Sequence, residues 1–327
     1  MMNEILIGDV FVKLKEIPDK SVDCVVTSPP YWGLRDYGNE GQMGLEPNFH
    51  DYLKKLDIIM EELKRILKDT GTCWVNLGDT YSGSGKGAGY NGAKESWRFE
   101  HKPKLEENIQ AKSRVGIPER FYINCIDNGW VARNHIVWTK NNAMPSSVKD
   151  RLTNKWESVF FFAKNKKYYF DLDAIRVPTI TKSKPFNVRV RDSETKRFLQ
   201  GATDEEKSRY NERGESKYED KEQESDHRQG FHKERDPSQF YNPKGKNPGD
   251  IFQINTRPFP KAHFATFPVD LPTKILKCAC PKDGTVLDPF FGAGTTGLAA
   301  QQLGLNWLGI ELSEEYAEIA KERLQIG

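Results

Sequence analysis

Apolar positions along this chain fall into short runs of two kinds, and the order of those runs predicts the architecture. Ile5–Phe11 (ILIGDVF) and Val22–Ser28 (VDCVVTS) are compact, β-branched and strand-like. The stretch HDYLKKLDIIMEELKRILKD, residues 50–69, repeats its apolar positions at three- and four-residue intervals, so a helix closed by Gly71 is expected. GTCWVNLGD then reads as a buried strand, and FYINCIDNG followed by WVARNHIVWTK as another helix and strand. Near the end the alternation returns. LPTKILKCAC is helical, GTVLDPFFG is a strand entering a glycine turn, TTGLAAQQLG is a helix, NWLGIELS is a strand and EEYAEIAKERLQ is an amphipathic helix. Alternation of this kind predicts a mostly parallel sheet covered by helices.

Two segments break the pattern. Residues 82–114 are rich in Gly, Ser, Lys and Glu and carry no periodicity, which reads as a long mobile loop; loops of that length inside compact domains tend to be functional. From Thr181 to Asp250 aliphatic residues become sparse, and 16 Lys and Arg stand against 15 Asp and Glu. That composition cannot bury much apolar surface by itself. It fits either a solvated insertion or a target-recognition region that orders on its ligand, with Arg189, Arg191, Lys196 and Arg197 near Phe186 and Phe198. The expected organisation is therefore 1–175 as the first half of one domain, 176–250 as a variable insertion, and 251–327 as the second half of the same domain.

Composition narrows the class only modestly. With 37% hydrophobic and 29% charged residues the 327-residue chain has a soluble balance, and no apolar run is long enough for a membrane span. The N-terminus lacks a basic segment leading into an apolar run, so the cytoplasm is the expected location. The net charge of +2 neither requires nor excludes nucleic acid. Five scattered cysteines suggest no disulfide framework. Cys278 and Cys280 form a lone CxC with no second pair, so no metal is expected.

The most informative stretch is Val286-Leu287-Asp288-Pro289-Phe290-Phe291-Gly292-Ala293-Gly294-Thr295-Thr296-Gly297. An apolar strand runs into glycines and then a helix, an arrangement that lets backbone approach a nucleotide-like cofactor at a helix N-terminus. Glu311 lies 19 residues beyond Gly292 at a strand end, where an acid can accept hydrogen bonds from ribose hydroxyls. A dinucleotide is disfavoured because Asp288 would repel a pyrophosphate, whereas it suits the cationic methionine end of S-adenosylmethionine. The GxxxxGK[ST] pattern of a P-loop does not occur at this turn.

A second constellation is Thr27-Ser28-Pro29-Pro30-Tyr31-Trp32, directly after the apolar run VDCVV. The prolines end the strand and hold the backbone extended. An exocyclic amine presents two N–H donors, and the Ser28 hydroxyl and the Pro29 carbonyl are two acceptors for them. Tyr31 offers a face on which a flipped base can stack, worth roughly 1–3 kcal/mol.

TSPPYW and DPFFGAGTT resemble the catalytic and cofactor motifs of the amino-methylating DNA methyltransferases, in the circularly permuted group in which the catalytic motif comes first. Gly8 and Asp9 match the position that contacts the adenine side of the cofactor, and His263-Phe264-Ala265-Thr266-Phe267-Pro268 matches the motif that closes over its methionine part. RNHIVWTKNNAMP and GDIFQINTRP fit as well, so the resemblance spans nearly the whole chain outside 82–114 and 181–245. It implies a Rossmann-like α/β fold with a seven-stranded, mostly parallel sheet holding one antiparallel strand. It also implies S-adenosylmethionine as cofactor and duplex DNA as substrate, with a partner restriction endonuclease in a restriction-modification system. The implied catalytic residues are Ser28, Pro29, Pro30 and Tyr31. The implied cofactor residues are Asp9, His263, Phe264, Thr266, Phe267, Asp288, Phe290, Gly292, Gly294, Thr295 and Glu311. Either a monomer or a homodimer is compatible.

Serine at position 28 usually accompanies cytosine N4 methylation in this family and aspartate adenine N6, so N4 is the first choice and N6 the runner-up. Cytosine C5 chemistry needs a Pro-Cys nucleophile that is lacking here. Arg151 and Lys140 read as phosphate contacts or as solvated surface, and His135 and His263 as packing residues. Trp156-Glu157 stands where the family often has His-Glu. Two other classes remain: a methyltransferase acting on RNA or protein, and an inactive DNA-binding module.

Overall fold

The computed structural model describes residues 3–83, 109–143, 145–178, 242–256 and 267–326. By their contacts, Met1–Arg176 with Asn247–Gly327 form one compact unit and Val177–Lys246 a second. The first unit carries every element that follows. The expected long loop at 82–114 and the expected insertion at 176–250 fall mostly outside the described residues.

Eight strands form one sheet in the order β1-β8-β7-β2-β3-β5-β4-β6. The strands are β1 (Glu4–Ile7), β2 (Val22–Thr27), β3 (Leu67–Leu77), β4 (Val131–Thr139), β5 (Trp156–Ala163), β6 (Ile251–Gln253), β7 (Thr285–Asp288) and β8 (Asn306–Glu311). β5 runs antiparallel to both β3 and β4, and every other pairing is parallel. The expectation of seven strands is therefore corrected to eight. The additional one is β6, three residues that extend the edge of β4, too short for periodicity to reveal.

Both faces of the sheet are covered, which explains why the central strands read as continuous apolar runs. On one face Val25, Cys73, Val75, Phe160 and Phe162 pack with α1 (Val10–Glu16), α2 (Phe49–Ile66) and α3 (Ile117–Asp127). On the other, Cys24, Val26, Trp74, Val159 and Phe161 pack with α4 (Asp270–Ala279), α5 (Thr295–Gln302) and α6 (Glu314–Leu324). Successive residues of one strand alternate between the two cores, as the period of two requires.

Two local boundaries differ from the sequence pattern. ILIGDVF is not one strand. Its strand ends at Ile7, and Asp9 caps α1 by accepting a 2.7 Å hydrogen bond from the Phe11 amide, so Val10 and Phe11 are helical. Helix α2 ends at Ile66 rather than near Gly71, and the chain enters β3 at Leu67 with no intervening loop. No helix of the described residues is long and apolar enough to cross a membrane.

Candidate functional site

The parallel strands β2, β7 and β8 deliver their C-terminal ends to one place, where a helix-covered sheet leaves its ligand crevice. There a cavity of about 510 Å³ opens, within the roughly 300–1,000 Å³ range of small-molecule sites. Ser28, Pro29, Pro30 and Tyr31 form one wall of it. Asp288, Phe290, Gly292, Thr295 and Glu311 form another, and Asp9 and Phe267 also line it. Gly294 does not reach the cavity surface, although its role in the turn is plain. His263, Phe264 and Thr266 lie outside the described residues.

The cofactor-type wall is built from backbone geometry. Gly292 and Gly294 have φ of +51° and +74°, values that glycine adopts without strain, and Gly294 leads directly into α5. Phe291 is buried beneath the turn and stacked on Trp307 at 5.3 Å, with Gly309 below it. A Cβ on Gly309 would sit 2.3 Å from the Phe291 ring, so only glycine fits that position in β8. Glu311 is 9% exposed. Its carboxylate accepts from the Gly292 amide at 2.6 Å and from the Ser313 amide at 2.9 Å, and burial raises its pKa. Each oxygen keeps a lone pair for a further donor.

Asp288 occupies the expected position with its oxygens already engaged. They accept from the Thr27 hydroxyl at 2.7 Å, the Thr296 hydroxyl at 2.6 Å and the Phe290 amide at 3.0 Å. Burial pushes its carboxyl up to about 7, against the hydrogen bonds that favour ionisation. The side chain thus ties the end of β2 to the glycine turn and α5, holding the two walls in register, and is not a free anion awaiting a cation.

The other wall is a side-chain network. Asn76, near the end of β3, is buried and donates through Nδ2 to the Ser158 carbonyl at 3.0 Å and to Glu157 Oε2 at 3.2 Å. Those two neighbours only accept, which fixes the amide so that Oδ1 faces the cavity. Oδ1 then accepts from the Ser28 hydroxyl at 3.3 Å and lies 3.0 Å from the Tyr31 hydroxyl. Tyr31 also donates to Glu157 Oε2 at 2.8 Å; burial and that neighbouring carboxylate raise the phenol well above its ordinary pKa and keep it a neutral donor. Ser28 has one proton, and both acceptors within its reach, Asn76 Oδ1 at 3.3 Å and the Tyr31 hydroxyl oxygen at 3.5 Å, belong to the wall. Its oxygen lone pairs are consequently presented to whatever occupies the cavity.

Supporting contacts stiffen this wall. The buried Tyr52 of α2 donates to the Pro30 carbonyl at 2.8 Å, and the Trp32 indole donates to the Glu46 carbonyl at 2.9 Å. Gly78 passes so close to Tyr31 that a Cβ there would lie 2.4 Å from the ring. Lys140 forms an ion pair with Glu157 and sits 4.1 Å from the centroid of the Trp138 ring. It is therefore a half-buried countercharge within the site. Arg151 is exposed and lies over Tyr81, and His135 pairs with Ser158 Oγ at 2.8 Å while packing on Phe160.

Several cavity residues were not singled out by the sequence pattern. Asn76 carries a retrospective signal, since it is a polar residue inside the buried run CWVNL. Arg35, Tyr37 and Gln42 belong to the glycine-rich segment after Trp32, which folds over the cavity. The Arg35 Nη1 atom is buried with no hydrogen-bond partner, an orphaned donor in the wall of a cavity.

Comparison with known proteins gives a consistent answer. An N6/N4 methyltransferase family model, described as DNA methylase, matches residues 22–322. The type II methyltransferase M.SmaI of Serratia marcescens is 35% identical over 98% of this chain and 90% of its own length. M.Cfr9I of Citrobacter freundii is 36% identical over 97% and 86%. Among solved structures, the cytosine-N4-specific PvuII DNA methyltransferase superposes with a TM-score of 0.61 at 19% identity, covering 98% of this chain and 85% of that one. The M1.HpyAVI complex with SAM gives 0.53 at 17% identity, with 99% of each chain covered.

Proposed function

The chain belongs to the DNA methylase family, and we propose that within it the protein methylates the exocyclic N4 of cytosine in duplex DNA, with S-adenosylmethionine as methyl donor. The observation that carries this reading is the polarity of Ser28. Its proton is directed into the wall, to Asn76 or Tyr31, so its oxygen accepts where an amino group must be held. The circularly permuted order, with Ser28-Pro29-Pro30-Tyr31 before the glycine turn, fits the same group, as does the cytosine-N4-specific neighbour. Type II relatives support a place in a restriction-modification system with a partner endonuclease.

The cavity fits the cofactor. Glu311 would receive ribose hydroxyls, the amides of the glycine turn would approach closely, and Phe290, Phe267 and Asp9 would enclose the remainder. The orphaned Arg35 Nη1 would gain an acceptor from a ligand rich in ring nitrogens and oxygens, relieving an unsatisfied donor that costs about 1–3 kcal/mol. S-adenosylmethionine, when bound, supplies an electrophilic methyl on its sulfonium.

The protein's own part is positioning and polarisation. Tyr31 presents its ring to a base extruded from the stack. The Ser28 oxygen and the Pro29 carbonyl accept the two amino protons, which localises the nitrogen lone pair that the ring otherwise withdraws. Glu157 and Lys140 hold Tyr31 and Asn76 in place around them. Alignment of nitrogen and methyl then provides much of the acceleration.

Incubating the protein with mixed-sequence DNA and S-adenosylmethionine, digesting to nucleosides and identifying the methylated species by mass spectrometry tests the reading. N4-methylcytosine is the expected product. N6-methyladenine would keep the class and overturn the base assignment; no methylated nucleoside, with cofactor binding intact, would point to RNA or protein as substrate.

A further inference from the structure

We propose that the loop joining β4 to β5 opens the duplex, with Leu152 as an apolar wedge entering the base stack and Lys149, Arg151 and Lys155 on the flanking phosphates. The proposal rests on the reading of the protein as a DNA methyltransferase and assigns the part that presents the base. Leu152 is 89% exposed, more than any other large apolar side chain among the described residues. A single exposed leucine is ordinary on a protein surface. What sets this one apart is that the residues on either side of it are held by contacts to the rest of the protein.

Before it, Asp150 is paired with Lys112 at 2.7 Å, and the Arg151 guanidinium lies 4.0 Å from the centroid of the Tyr81 ring while donating to the Leu152 carbonyl at 3.3 Å. After it, Asn154 accepts from the Tyr81 hydroxyl at 3.4 Å, and the Lys155 carbonyl accepts from the Lys140 amide at 2.9 Å. The tip is thus held on Tyr81, and β3 holds Asn76 and leads past Gly78 to that residue. The isobutyl group is 89% exposed, with no apolar partner among the described residues to explain its placement.

The location matches the task. Asn154 and Lys155 line a second cavity of about 190 Å³ that also touches Tyr31, Lys140 and Glu157, so the loop borders the base-accepting wall directly. The paired Asp150 leaves Lys149, Arg151 and Lys155 as a cationic surround, complementary to phosphates on both sides of a wedged step. Architectural proteins use Leu, Ile, Met and Phe in this way, offsetting lost base stacking with apolar contact.

The test compares wild type with Leu152→Ala on the site mapped by sequencing wild-type product. One duplex is fully paired, and the other places the target base opposite an abasic site, where extrusion is easier. For Leu152→Ala, kcat/KM on the paired duplex should fall about tenfold, because the lost wedge no longer offsets the unstacking of the target base. Activity on the abasic-opposed duplex should return to within about twofold of wild type, with cofactor affinity unchanged. Unchanged activity on paired DNA would overturn the proposal, as would an equal loss on both duplexes, which would mean that Leu152 acts in binding and not in opening. Wild-type inactivity on all DNA would instead refute the methyltransferase reading and take the wedge with it. Since Leu152 is 89% exposed, the variant is expected to fold, and an unchanged melting temperature checks this.

Discussion

The wall formed by Asp288, the glycine turn and the start of α5 lies within about ten consecutive residues, with Glu311 arriving from the adjacent strand. The wall formed by Ser28, Tyr31, Asn76, Lys140 and Glu157 draws on β2, β3, β4 and β5, with up to 126 residues between hydrogen-bonded partners. The first presents backbone amides and a buried acid, and its shape depends on where glycines stand. The second presents side chains whose donor and acceptor directions are set only by one another. A cofactor common to a whole chemistry can be met by a local motif, whereas discrimination of one amino group needs polarity, and polarity here is a property of the network.

Substitutions that separate the walls make this contrast testable. The largest effect is expected from Ser28→Ala, which removes the acceptor that the proposed mechanism places against the amino nitrogen. Its kcat should fall by roughly 10²–10³, the usual range for one preorganised polar group, with S-adenosylmethionine affinity in calorimetry unchanged. Equal loss of cofactor affinity would show that the walls are not independent.

Next come two glycines, one behind each wall. Gly309→Ala drives a methyl into the buried Phe291 ring and should cost about 1–3 kcal/mol of stability, read by denaturant unfolding, with weakened cofactor binding. Gly78→Ala displaces the Tyr31 ring instead and should depress methyl transfer while leaving cofactor affinity near wild type. The reverse pattern would reverse the assignment of the walls. Asn76→Ala should cost about 1–3 kcal/mol by leaving Ser28, Ser158 and Glu157 short of partners, and should lower kcat without changing the cofactor affinity.

The last effect concerns pH. The Asp288 carboxyl, raised by burial from 3.8 to about 7, keeps its proton in the folded protein while the unfolded chain loses it. Stability should therefore fall as pH rises between those values and level off above the upper one. Asp288→Asn removes this titration, so its melting temperature measured across the same range should show a flatter slope than wild type.

How much was legible follows the same division. The glycine turn, Asp288 and Glu311 announce themselves because strand, turn and helix are consecutive and their spacing is fixed by local geometry. SPPY is legible as a rigid polar tip. Glu157 shows in the sequence only as a departure from a familiar pair, Lys140 reads as surface or phosphate contact, and Asn76 lies hidden inside an apolar run. Nothing local distinguishes a buried network carboxylate from a solvated one. The eighth strand is hidden in the sequence for a related reason, since β6 is a strand only because the edge of β4 is there to pair with it.

By itself the sequence determined the α/β alternation, the two motifs that meet at the strand ends, and the composition break after β5, because each is written in hydrophobic period, glycine and proline placement, or charge density. Only the tertiary structure decided that Asp288 is a strut between the walls, that Ser28 presents lone pairs and not a proton, and that Lys140 is a countercharge within the site. The physical reason is that a hydrogen bond's direction and a carboxyl's protonation depend on the groups within a few ångströms in space. In a sheet those groups come from strands that are far apart along the chain.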